Sequence, residues 1–189
     1  THELNVGNPM ELRTDVGPVI DVEAQQLIQE HTNKMRRKGR LLSEASLDPN
    51  LTNGHFVAPQ IYEIDRLGQL EREVFGPILH IIRYKKSELR DVLADIKASG
   101  YGLTLGIHSR IDGFAQTVFD NTQVGNTYIN RNTVGAVVGV NPFGGQGLSG
   151  TGPKAGGPHY LYRFVSEKTR TDNVVAKGGN TDLFTLSEG

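Results

Sequence analysis

No cysteine occurs among the 189 residues. That excludes disulfides and any thiol nucleophile within the chain, and it suits a reducing compartment. Excess charge of one sign is lacking too: 20 Lys and Arg stand against 21 Asp and Glu. With no basic stripe to neutralise phosphates, no specific nucleic-acid contact is expected. No apolar run approaches the roughly 20 residues that span a bilayer, so no membrane span is expected. The opening stretch, "THELNVGNPMELRT", has neither the basic nor the apolar region of a secretory signal. Six histidines (His2, His31, His55, His80, His108, His159) stand apart in sequence, none at the i, i+4 spacing of a helical metal pair. No metal site is expected from them. The triplet Asn50-Leu51-Thr52 has glycosylation spacing, but without a secretory signal it reads as chance.

What the chain does have is an alternation of helical and extended patterns. Residues 22–37 read as a helix whose face is formed by Val22, Ala24, Leu27, Ile28, His31 and Met35, with Gly39 as its stop. "RLLSEA" (40–45) is a strand candidate. "HFVAPQIYEI" (55–64) is extended, and Pro59 assigns it to an edge or a bulge. "PILHIIRYK" (77–85) reads as a strand. A helix follows, with Ser87 as N-cap, Leu89, Val92, Leu93 and Ile96 on its apolar face, and Gly100 at its end. "LTLGIHS" (103–109) is a strand, 111–120 an amphipathic helix with Phe114, Val118 and Phe119 as its apolar residues, and "GNTYIN" (125–130) a strand. This rhythm predicts an α/β fold of βαβ units with a parallel sheet. Residues 160–175 read as one long extended segment. In the tail, Leu183, Phe184 and Leu186 are the only apolar grip.

Seven glycines crowd "NPFGGQGLSGTGPKAGGPHY" (141–160). Gly145, Gly147 and Gly150 spell G-x-G-x-x-G, the written form of a dinucleotide fingerprint. That fingerprint has to follow a strand and open a helix whose N-terminus receives the pyrophosphate. Here Asn141-Pro142 interrupts the strand, and the glycines and prolines after Gly150 forbid a helix. The loop is expected instead to use glycine for tight turns and close backbone approach. Its N–H groups can form a nest for a carboxylate.

"EREVFGPILHIIRY" (71–84), then "GYGLTLGIHS", "GNTYINR" and "PFGG", with "TDVGPVID" (14–21) upstream, resembles the aldehyde dehydrogenase superfamily in order and spacing. Within it, "NRNTVGAVVGVNPFGGQGLSGTGPKAGGPHYLYR" is similar to the glutamate-γ-semialdehyde (Δ1-pyrroline-5-carboxylate) dehydrogenases. The form it looks like is that of the bacterial bifunctional proline utilization A proteins, whose C-terminal segment "GGNTDLFTLSEG" also resembles. The resemblance implies part of an aldehyde dehydrogenase catalytic domain over 1–164, then an oligomerisation strand and C-terminal tail over 165–189. It implies that the family's cysteine nucleophile, general-base glutamate, oxyanion asparagine and most of the NAD-binding region lie upstream of Thr1. The expected whole is an NAD-dependent oxidation of L-glutamate γ-semialdehyde to L-glutamate in proline catabolism. This chain alone is expected to be inactive. FAD would enter only through an upstream proline dehydrogenase domain. A homo-oligomer in the bacterial cytoplasm is implied, with peripheral contact of the full-length protein with the inner membrane left open.

Roles follow from matching positions. By resemblance, Glu73 accepts hydrogen bonds from the nicotinamide ribose hydroxyls, and an ionised carboxylate is suited to accept both. Phe75 matches the aromatic beside the nicotinamide. Gly156 and Gly157 match the two small residues whose N–H groups hold the substrate α-carboxylate, and Phe164 the aromatic along the substrate's aliphatic stem. Gly147 stands where the wider family often has Lys, so no charged role is assigned there. The structural alternatives are a solvated charge at Glu73 and a plain core ring at Phe75. For the whole chain the alternative is a non-catalytic assembly module derived from an aldehyde dehydrogenase.

Overall fold

The computed structural model describes residues 1–137, 139–173 and 175–177. Its first helix, α1, runs Val22–Lys38. The Asp21 carboxylate caps it by accepting from the Ala24 N–H at 2.7 Å, and Gly39 closes it with an N–H donated to the Met35 carbonyl. Glu23 in the first turn and Arg36, Arg37 and Lys38 in the last complement the helix dipole. The buried face is Ile28, Thr32 and Met35, spaced four and three apart. Leu27, expected inside, is 45 % exposed. One residue corresponds to about 100° around the helix, so Leu27 falls off a stripe centred on Ile28.

β1 (Arg40–Glu44) pairs antiparallel with β2 (Gln60–Glu63), and β2 pairs parallel with β3 (Ile78–Ile81). The order is β1-β2-β3, so β2 is the middle strand and Pro59 does not mark an edge. It stands just outside the strand, where its missing N–H costs no ladder bond and its carbonyl accepts from Ala45 N–H at 2.8 Å. The irregularity lies on the facing strand, between Leu41 and Ser43. Met35, Tyr62 and Ile64 form the core beneath this sheet. Tyr62 is fully enclosed, and its hydroxyl donates to Gln60 Oε1 at 2.5 Å.

A 3-10 turn, Lys86–Glu88, leads into α2 (Leu89–Ala98). Glu88, not Ser87, occupies the cap position, and its carboxylate turns back to accept from Lys85 N–H at 2.7 Å. The extra 3-10 turn moves the helix start past the serine. β4 (Tyr101–Gly102), β5 (Thr104–Ile107), α3 (Asp112–Asp120) and β6 (Asn126–Ile129) follow. β5 and β6 are parallel with α3 between them, a βαβ unit. Leu93, Ile107, Ala115 and Val118 make its core. Phe119, expected on the apolar face, is 52 % exposed, and Ala115 takes that place. β7 (Gln146–Gly147) pairs antiparallel with β4. The fold is thus α/β with parallel pieces, and among the described residues the strands lie in three sheets rather than one.

The chain divides into two compact units, Thr1–Thr133 with Gly145–Thr151, and Val134–Gly144 with Gly152 onward. In the second, Phe143 and Ala155 exchange two backbone hydrogen bonds of 3.0 Å. The segment expected to be extended from 160 opens instead as a 3-10 turn, Tyr160–Arg163. His159 stacks on Tyr162, and Tyr160 meets Phe164 edge to face. Residues three and four apart are neighbours on a helical turn, which brings these rings together. Residues 165–173 form no regular element, and 175–177 form a 3-10 turn. Leu183, Phe184 and Leu186 lie outside the described residues. Among the described residues no helix is long and apolar enough to cross a membrane.

Candidate functional site

The loop entering β3 carries the first pair of candidates. Gly76 sits against α1, where a Cβ would land directly on Ile28 Cδ1. Ile28 is 1 % exposed, so the loop backbone is pressed onto a fixed core residue. Lys34 of α1 ties the same loop from the side through Glu71 at 2.6 Å, and that bond holds the Glu71 carboxyl below the usual carboxylate range. Of the two acids in "ERE", Glu71 therefore has a structural partner. Glu73 is exposed, with no hydrogen bond or ion pair to the other described residues. Phe75 beside Gly76 is 87 % exposed, which rules out the plain core reading of its ring within this chain.

The G-x-G-x-x-G glycines are occupied otherwise. Gly147 pairs with Tyr101 in a left-handed conformation, φ 59°. Leu148 N–H donates to the Gly100 carbonyl at 2.9 Å, and Ser149 Oγ accepts from Gly102 N–H at 3.0 Å. A Cβ on Gly150 would fall on the Gly145 carbonyl. The glycines thus close a tight loop on its own backbone, and no helix opens after Gly150. A cleft of about 150 Å³ beside this pairing is lined by Lys97, Tyr101, Gln123 and Gln146, and by none of the expected site residues.

The remaining candidates lie in the second unit. Gly156 is left-handed, φ 71°, and a Cβ there would have nothing within 4 Å. Gly157 is packed differently. A Cβ on it would stand 3.2 Å from Pro142 Cβ, and its N–H donates to the Lys154 carbonyl at 3.1 Å. Phe164 is 70 % exposed at the end of the 3-10 turn, its ring 5.4 Å from that of Tyr160. Glu73 and Phe75 thus share one loop of the first unit, and Gly156, Gly157 and Phe164 belong to the second.

Residues 1–170 match the family model described as "Aldehyde dehydrogenase family". The chain belongs to the aldehyde dehydrogenase family. It is 53 % identical over 171 residues to the bifunctional protein PutA of Klebsiella aerogenes, covering 88 % of this chain and 13 % of that protein. To the 1-pyrroline-5-carboxylate dehydrogenase of Geobacillus kaustophilus it is 36 % identical over 171 residues, 89 % of this chain and 32 % of that one. A crystal structure of Bradyrhizobium japonicum proline utilization A superposes with a TM-score of 0.84 at 54 % identity, over 93 % of this chain and 18 % of that one. The 1-pyrroline-5-carboxylate dehydrogenase from Thermus with bound NAD gives 0.75 at 35 %, over 85 % and 31 %. The chain therefore spans a small part of each relative.

One pair of side chains had no signal in the sequence. His31 on α1 and His80 on β3 meet Nε2 to Nε2 at 2.9 Å, rings nearly perpendicular, 49 residues apart. Both are partly buried, and burial, first of all, pushes both imidazoles below their ordinary pKa.

Proposed function

We propose that this chain is part of a longer NAD-dependent dehydrogenase that oxidises L-glutamate γ-semialdehyde to L-glutamate in proline catabolism. The observation that carries the reading is the loop 71–77 of a family member. There a carboxylate without a partner among the described residues, Glu73, and an outward ring, Phe75, stand two residues apart on backbone pressed against α1. That donor set fits a nicotinamide ribose: a carboxylate accepts from two vicinal hydroxyls, and an exposed ring offers an apolar face. NAD, when bound, would supply the hydride acceptor. In this proposal Glu73 orients the ribose, and Phe75 packs beside the nicotinamide and excludes water from it.

Gly156 is the stronger candidate for the substrate α-carboxylate, since it is left-handed and a Cβ on it would meet open space. The Gly157 N–H must share itself between the Lys154 carbonyl and the substrate. Phe164 lines the aliphatic stem. The attacking thiol is not among these 189 residues and belongs elsewhere in the longer protein, so this chain by itself should not turn over. We place the oligomerisation segment at 165–189, with a homo-oligomer in the cytoplasm.

The test is Glu73→Gln in the full-length protein. The amide offers one acceptor oxygen instead of two charged ones. A charge-assisted hydrogen bond contributes roughly 1.5–3 kcal/mol, so KM for NAD should rise about ten- to hundredfold. An unchanged KM would reduce Glu73 to a solvated charge and remove the main support for the reading.

A further inference from the structure

We propose that His31 and His80 form a proton-sensitive clasp that holds β3, and the loop 71–77 leading into it, against α1, and that acid opens it. The geometry allows a single proton on the line between the two Nε2 atoms, 2.9 Å apart. With both rings neutral, one donates and the other accepts. A first added proton, taken at Nδ1 of the donating ring, leaves that hydrogen bond intact and charge-assisted. A second sets two N–H groups against each other, and two imidazolium ions repel at this distance in partly buried surroundings. The clasp must then open.

Its surroundings favour the neutral pair. On α1, Lys34 lies beside His31, though it is paired with Glu71. On the loop, Arg72 adds a second positive charge facing His31. From β2, the uncharged phenol of Tyr62 stacks on His80 at 6.5 Å between centroids. Burial and these cations all oppose the charged state, so at neutral pH the clasp is closed. Its position gives it a consequence. β3 begins two residues after Gly76, whose backbone rests on Ile28, three residues before His31 on the same helix. Opening the clasp frees the loop that presents Glu73 and Phe75. The link to cofactor binding rests on the function proposed above; the clasp itself does not.

The experiment is hydrogen–deuterium exchange on the full-length protein without cofactor. Peptides covering 70–82 are followed from pH 7.5 to 5.0, with protection corrected for the intrinsic rate. Protection should fall by up to about tenfold per pH unit below the transition, the slope of one extra proton bound by the open state. In the double variant His31→Gln/His80→Gln the amides retain a hydrogen bond but do not titrate, and the pH response of these peptides should vanish. Should that variant fail to fold, Arg72→Gln decides. Losing that cation must move the transition to higher pH with both rings in place. A response that persists in the double variant, a transition that Arg72→Gln leaves in place, or wild-type protection that stays constant with pH overturns the clasp. KM for NAD, measured alongside, reports separately. A loop that loosens while KM stays constant refutes the cofactor role of the loop and supports the clasp.

Discussion

Two glycines six residues apart in sequence should respond to alanine to different degrees and for different reasons. At Gly150 the added methyl falls on the Gly145 carbonyl oxygen, part of the loop's own backbone. Nothing there can rotate away, so the turn must shift. Overpacking of this kind costs typically about 1–3 kcal/mol, on top of disturbing the β4–β7 pairing nearby. At Gly156 the added methyl meets no atom within 4 Å. Its cost is only that of an L-residue held at φ 71°, roughly 1–2 kcal/mol. Both variants should therefore lower the thermal midpoint, Gly150→Ala more than Gly156→Ala.

Their effects on turnover separate further. The open space at Gly156 is where the substrate α-carboxylate would lie, and a methyl there pushes it off the backbone donors. One charge-assisted hydrogen bond lost, roughly 1.5–3 kcal/mol, corresponds to about a ten- to hundredfold fall in kcat/KM. That fall should appear with glutamate γ-semialdehyde and not with propanal, which has no carboxylate to hold. Gly150→Ala should depress both aldehydes alike, since it distorts the loop without touching the nest. The assay is NADH formation by the full-length protein with each aldehyde at a temperature where all variants are folded. Equal losses for the two aldehydes in Gly156→Ala would refute the carboxylate nest, and the loop would then be structural throughout.

Further outcomes are expected. Gly76→Val should destabilise the first unit, because its Cβ is driven into Ile28, which is 1 % exposed; a midpoint drop smaller than that of Gly68→Val, where a Cβ meets nothing within 4 Å, would refute this. Phe75→Ala should leave the midpoint almost unchanged, since the ring is 87 % exposed, while raising KM for NAD; a large midpoint drop would mean that the ring packs in the longer protein rather than against cofactor. The acid limb of stability should have two parts. Hydrogen bonding from Arg40, with Arg83 adding to it, keeps the Glu63 carboxyl below its ordinary pKa, so its contribution is present above the unfolded value and lost as pH falls through the lower folded one. His31 and His80 are also lowered, so theirs is complete above about 6.5 and fades as pH falls below that, at higher pH than Glu63. Urea midpoints across pH 3–8 should show the histidine part vanish in His31→Gln/His80→Gln and the carboxylate part shrink in Glu63→Gln.

The periodic parts of the sequence were readable because local pattern and tertiary burial agree in them. α1, α2 and α3, and the strands that became β1, β5 and β6, lie where apolar spacing placed them, each shifted by no more than a residue or two at the ends, while β3 ends four residues before its expected limit. The errors came where a contact outside the window decided the outcome. Pro59 counts against a central strand only if its N–H is needed, and the strand starts one residue later. Ser87 looks like a cap until the 3-10 turn Lys86–Glu88 moves the helix start beyond it. Leu27 and Ile28 are equally apolar neighbours, and only the place of the sheet decides which is buried.

The candidate site was legible to a different degree in its two halves. Glu73 and Phe75 came from a motif, and the structure adds the physical reason why the motif includes a glycine: without Gly76 the loop could not lie on Ile28 and turn Phe75 outward. The glycine loop was harder, because a string of glycines specifies permission rather than purpose. Gly147 and Gly150 use that permission to pack backbone on backbone, whereas Gly156 uses it to hold a left-handed turn open to its surroundings. The sequence writes both with the same letter. His31 and His80 show the opposite limit. Each is an ordinary residue in its own element, and their chemistry exists only because α1 crosses β3 at that point. A local window cannot contain a contact between residues 49 apart, so a proton-sensitive pair of this kind becomes visible only once the fold is known.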